Sequence, residues 1–198
     1  MSKRITFQFE DDLDYQMQAI HSTVELFRGL SRHVDGVYRY NRIHDVTQGN
    51  PIRNNDIVVG SRLLENLRKV QLSNDLFADN VLAEGNNFTI EMETGTGKTY
   101  VYLRTILELY QEYGFRKFMI VVPSIAIRKG VEKSMEQLAD HFKRLYNIDI
   151  GKHSFIYDSN NPKQISSKLV ESNDLSICVL NIQAFNKDTN KIRKEDEY

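Results

Sequence analysis

One cysteine in 198 residues leaves no partner for an internal disulfide and no ligand set for a multi-cysteine zinc site. Cys178 stands in the apolar run LSICVL, the setting of a buried thiol. A surplus of either charge is also missing: 26 basic against 27 acidic side chains give a formal net charge of -1. No global field therefore draws the chain towards a polyanion, and any nucleic-acid surface has to be local. No apolar run reaches the length of a membrane span, and the opening MSKRITFQFEDD has no signal-peptide apolar core. A soluble, cytoplasmic protein without a membrane partner is the expectation. His21, His33, His44, His141 and His153 are scattered without metal-ligand spacing, and no internal repeat or low-complexity tract occurs.

What is present is a hydrophobic content of 40%, enough for one core, or for a core with a helical extension. Met17, Ile20, Val24 and Phe27 recur at intervals of three and four and predict an amphipathic helix over 14–28 that Gly29 can end. Residues 31–60 have no sustained period and contain Pro51, so they read as a long loop or irregular insertion. Leu63, Leu67 and Val70 predict a second helix.

From residue 88 the pattern becomes strand, helix, strand, helix. FTIEM reads as a short apolar strand, followed by a helical stripe of Leu103, Ile106, Leu107 and Tyr110 that Gly114 closes. KFMIVV hardly alternates, as expected for a parallel strand covered on both faces. Ser124, after Pro123, can cap a helix carrying Ile127, Val131, Met135, Leu138, Phe142 and Leu145 on one side. HSFIY and LSICVL are two more strand candidates, with a weaker helix over 163–171 between them. Such alternation predicts an α/β protein with a parallel sheet flanked by helices.

The turn GTGKT lies between an expected strand and an expected helix. There Gly95 and Gly97 can adopt backbone angles that other residues avoid, so that successive amide N–H groups face one concave space suited to anions. The positive end of the helix adds to the attraction. Lys98 can reach terminal phosphates as a point charge, and Thr99 can place its hydroxyl on Mg2+. The strict phosphate-loop pattern asks for glycine where Met92 stands. The plain alternative is a glycine turn whose lysine is merely solvated. Glu91 and Glu93 flank the turn, but carboxylates beside phosphates repel them, and neither is assigned a catalytic part.

EMETGTGKTYVYLRTILELY, YGFRKFMIVVPSIAIRKGV and LNIQAFNKDTN resemble the corresponding blocks of the Res subunit of type III restriction enzymes, over about residues 80–190. That family belongs to the superfamily two helicase group of DNA-dependent motors, and it tolerates Met at the position of Met92. The resemblance implies a RecA-like P-loop NTPase fold, here incomplete at the carboxy end and preceded by a helical extension. Residues 1–80 would form that extension and residues 81–198 a partial first motor lobe. It also implies ATP and Mg2+ as cofactors. A Tyr-Gln pair near the amino end reads adenine in such enzymes, and Tyr15 and Gln16 match it; an exposed polar pair beside a helix is the alternative, and Gln18 is a possible substitute. The implied nucleotide site is Tyr15 and Gln16 together with Thr94, Gly95, Thr96, Gly97, Lys98, Thr99 and Tyr100. Lys98 and Thr99 carry the catalytic roles in it, Thr99 as the metal ligand.

VVPSIAIRKGV resembles the family segment that grips the DNA backbone. A strand ending at Pro123 and a helix starting at Ser124 would offer amides, the Ser124 hydroxyl, Arg128 and Lys129 to phosphate oxygens. An ordinary helix cap followed by a solvated basic pair is the alternative. Asn181 and Gln183 resemble a second backbone contact, with turn chemistry as their alternative.

The family's acidic Asp-Glu strand-end motif does not follow LNIQAF, and DEY at 196–198 follows a charged run instead of an apolar strand. The second motor lobe and the nuclease are missing too. The expectation is therefore an amino-terminal piece of a Res subunit that binds ATP weakly, hydrolyses it poorly and self-associates through uncovered apolar surface. In the complete enzyme the resemblance implies ATP-powered movement on DNA coupled to cleavage of foreign DNA, with a modification methyltransferase (Mod) subunit supplying sequence recognition. Another phosphate-loop NTPase, or an interaction fragment with a vestigial turn, are the rival readings. Neither an ABC-type signature nor a guanine-reading NKxD is present, NKD at 186–188 being a near miss.

Overall fold

The computed structural model describes residues 10, 12–30, 32–34, 37–39, 61–82, 86–159, 161 and 163–185. The chain forms two compact units that divide between Phe115 and Arg116, the first starting at Asp12.

The first unit contains α1 (Asp14–Glu25), a short antiparallel pair β1 (Arg32–Val34) and β2 (Val37–Arg39), α2 (Ser61–Ser73) and α3 (Lys98–Tyr113). The three helices fall where periodicity places them. Helix α1 turns its buried Gln16, Ile20 and Val24 inward and packs on α3. Phe27, just past α1, meets Phe115 edge to face at 5.0 Å, which anchors the end of α1 beside the end of α3. Buried Asn66 of α2 donates Nδ2 to the carbonyls of Leu26 and Arg28, at 2.9 and 2.8 Å. These carbonyls follow the helix and have lost their regular partners, so one amide satisfies two orphan acceptors. Part of the stretch expected to be irregular holds the β1–β2 pair.

FTIEM does not form a strand: residues 87–93 have no regular structure, and Ile90 is exposed. An apolar alternation is only half of a strand; the other half is a ladder partner, and none pairs with this segment among the described residues.

The second unit carries β3 (Lys117–Val122), α4 (Ile125–Tyr146), α5 (Ile150–His153), β4 (Ser154–Ile156), α6 (Lys163–Ile165) and β5 (Ser176–Asn181). The strands form a parallel sheet in the order β3-β5-β4. Central β5 has Ile177, Cys178, Val179 and Leu180 fully buried, which is why its sequence shows no alternation. Strand β3 differs from expectation. It lies at the sheet's edge among the described residues, with Met119 and Val121 exposed on alternate positions.

Helix α4 is capped by Ser124, whose Oγ accepts from the Ile127 N–H at 3.2 Å. Val131, Met135, Leu138 and Phe142 form its buried stripe, while Ile127 and Leu145 at the two ends are exposed. The weak helix expected over 163–171 is α6 followed by a widened π-helical turn, Ser166–Glu171. Its carbonyl at Lys168 is satisfied from outside, by Lys117 Nζ at 3.0 Å and Ser176 Oγ at 2.8 Å. Burial lowers the Lys117 ammonium below its ordinary value, partly offset by Asp174, with Arg116 adding to the lowering.

Candidate nucleotide-binding site

The turn entering α3 is built as the glycine spacing demands. Gly95 and Gly97 sit at φ +85° and +84°, the left-handed region where a side chain is strained. Thr96 Oγ1 donates to the Glu93 carbonyl at 2.7 Å and closes the turn, and the first helical bond runs from Val101 N–H to Gly97 O at 3.0 Å. No acceptor among the described residues takes the main-chain N–H of Gly95, Thr96, Gly97, Lys98 or Thr99. Five successive donors at a helix N-terminus are thus left for an outside acceptor, and the chemistry they fit is that of phosphate oxygens.

Around the turn the expected residues have separate fates. Lys98 is exposed and Thr99 half-buried. Burial pushes the Tyr102 phenol above its ordinary 10.0, and a side-chain hydrogen bond from Thr99 opposes that rise. Tyr100 is buried, and its hydroxyl accepts from Arg104 Nη1 at 2.9 Å. Gln16 is 7% exposed and donates Nε2 to the Thr96 carbonyl at 2.9 Å, so α1 is joined to the turn 80 residues away. Its neighbour Tyr15 is 47% exposed. Gln18 donates instead to Asn74 Oδ1 at 2.8 Å on the α1–α2 side, apart from the turn. Tyr102 and the acceptor role of Glu93 escaped sequence reasoning. The only signal for Tyr102 was its place one helical turn after Thr99.

The second group of expected residues is brought together at one edge of the sheet. Because β3 and β5 are parallel with Val122 opposite Asn181, both strands end on the same side. Gln183 Nε2 donates to the Pro123 carbonyl at 3.2 Å across that edge. Ser124 caps α4 there, and Arg128 and exposed Lys129 lie in its first turns. Arg128 Nε and Asn181 Oδ1 are buried without a hydrogen-bond partner. A donor and an acceptor left open in this way mark an edge suited to an outside polar ligand.

Among the described residues no three His, Cys, Asp or Glu side chains cluster to hold a metal, and no helix is long and apolar enough to cross a membrane. DEY at 196–198, NKD at 186–188, and His44 lie outside the described residues.

The small parallel sheet among helices defines an α/β protein. The profile described as "Type III restriction enzyme, res subunit" matches residues 11–198. The chain belongs to that family. It is 27% identical over 171 residues to the EcoPI Res subunit of Escherichia phage P1, covering 84% of this chain and 17% of the relative. To the EcoP15I Res subunit of Escherichia coli it is 32% identical over 111 residues, 54% of this chain and 11% of the relative. To the StyLTI Res subunit of Salmonella typhimurium it is 47% identical over 62 residues, 30% of this chain and 6% of the relative. The chain therefore spans less than a fifth of the length of these curated relatives.

Proposed function

We propose that residues 1–198 are the ATP-binding portion of a type III restriction enzyme's Res subunit, built on a RecA-like P-loop fold and working in the cytoplasm. The observation that carries this reading is the run of five unpaired main-chain N–H groups from Gly95 to Thr99, which includes two left-handed glycines and the exposed Lys98. In it the amides and Lys98 hold the phosphates, and the Thr99 hydroxyl meets Mg2+. Tyr15 and Gln16 stand on the side of the base. Bound ATP with Mg2+ supplies the phosphoryl group whose transfer drives motors of this group. Ser124, Arg128, Lys129, Asn181 and Gln183 form the DNA-backbone edge, a role supported by the two buried, unpartnered polar atoms there.

The whole enzyme would move along DNA at the expense of ATP and cleave foreign DNA, with a modification methyltransferase subunit as partner. Nucleotide binding at the phosphate turn is the activity expected of this stretch. Calorimetric titration tests the reading: ATP with Mg2+ binds and GTP binds less well, and Lys98→Ala weakens ATP at least tenfold. Guanine selectivity would point to a switch protein, and no heat with either nucleotide to a vestigial turn.

A further inference from the structure

We infer that Gln16 is a positioning residue that locks one peptide plane of the phosphate turn, so that it governs phosphate binding whether or not a base is present. The inference rests on the nucleotide-binding reading of this turn and adds to it a mechanical role for α1.

The peptide joining Thr96 to Gly97 is planar and trans, so its carbonyl oxygen and its N–H point in opposite directions. Holding one fixes the other. Gln16 Nε2 holds the Thr96 carbonyl at 2.9 Å, and the Gly97 N–H belongs to the unpaired set. The orientation of the amide is not a free choice, because a carbonyl oxygen can only accept, and only the nitrogen of Gln16 can donate.

A lock is needed here because the turn is soft. Gly97 follows the plane and Gly95 lies one residue before Thr96, and glycine crosses between left- and right-handed regions at small cost. Rotation of the 96–97 plane would turn a carbonyl oxygen to the side where the N–H had been. An anion would then meet a partial negative charge in place of a donor.

The packing shows how closely the lock is seated. A Cβ built on Gly97 would lie 2.5 Å from Gln16 Nε2, so the amide occupies the space that any larger residue would fill. Gln16 itself is held by α1, whose Ile20 and Val24 are buried on the same helix. The bond is also partly withdrawn from bulk water, since Gln16 is buried, which strengthens it.

The test compares three ligands, each with Mg2+: inorganic tripolyphosphate, ATP and GTP. They are titrated into the wild-type chain, Gln16→Ala and Gln16→Met. Methionine fills the volume of glutamine and cannot donate. Both variants weaken tripolyphosphate and ATP by a similar factor, roughly tenfold, as one lost hydrogen bond implies. Thermal melting is recorded in parallel, and the 15N–1H resonance of Gly97 in the ligand-free protein shifts in both. Unchanged tripolyphosphate affinity, with only the ATP over GTP preference lost, would overturn the inference and make Gln16 a plain base reader. Restoration by methionine would overturn it in favour of simple packing. If the wild-type chain binds neither tripolyphosphate nor ATP, the nucleotide reading itself fails, an outcome distinct from the other two.

Discussion

Gly97 concentrates the demands on a single position. Its φ of +84° excludes ordinary side chains, and a Cβ there would collide with the Gln16 amide. Gly97→Ala is expected to cost about 1–3 kcal/mol of stability, from forced backbone strain. It should also abolish nucleotide binding, because relief of the collision moves either the turn or Gln16. Denaturant melts and titration of the same sample check both effects. Gly95 is the contrast: it is equally left-handed, but its Cβ would meet nothing within 4 Å, so Gly95→Ala should pay for strain alone.

Cys178 makes a second prediction at this scale. Burial raises its thiol from an ordinary 9.0 to about 12, with Lys168 pulling slightly the other way. Raised in the folded state, the thiol keeps its proton while the unfolded chain loses one. Its contribution to stability is therefore intact below about pH 9 and is lost as pH climbs towards about 12. Thiol reagents at pH 8 should label the chain only after unfolding, and Cys178→Ala should flatten the alkaline loss of stability.

Elements divide by how their signal is encoded. Helices announce themselves by period, and α1, α2, α3 and α4 all lie where apolar spacing places them, down to Ser124 at the cap of α4. Strands need a partner that no local pattern specifies. LSICVL was legible because it is central and wholly buried, whereas KFMIVV lies at an edge and FTIEM lacks a ladder among the described residues. The π-helical turn after α6 was not legible, because its Lys168 carbonyl is satisfied by Lys117 and Ser176, which lie outside its own segment. Two neighbours at the start of α4 separate stability from binding. Ser124→Ala removes a cap and should cost about 1 kcal/mol. Arg128→Ala removes a buried, unpartnered guanidinium nitrogen and should leave the melt unchanged or raise it. On a short DNA duplex, the Arg128 variant should bind more weakly with a shallower salt dependence, as expected for a lost phosphate contact.

For the whole molecule, a formal net charge of -1 means that any affinity for DNA has to come from a local edge, and the end of β3 and β5 is where the residues proposed for it lie. The candidate nucleotide site was legible in its turn residues, since glycine spacing before a helical stripe encodes it within one short segment. The Gln16 bond to Thr96 was not, because it joins positions 80 residues apart that only folding brings together. Likewise, the compact units divide at Phe115 and Arg116, inside what reads as one continuous alternation of strand and helix.

All of these readings depend on anion capture by the main chain of the turn, which a 15N–1H shift map of the 23.1 kDa chain observes directly. On titration with ATP and Mg2+, the amide resonances of Gly95, Thr96, Gly97, Lys98 and Thr99 should move furthest and saturate together. Saturating shifts confined to other residues, or a spectrum indifferent to the nucleotide, would contradict the account.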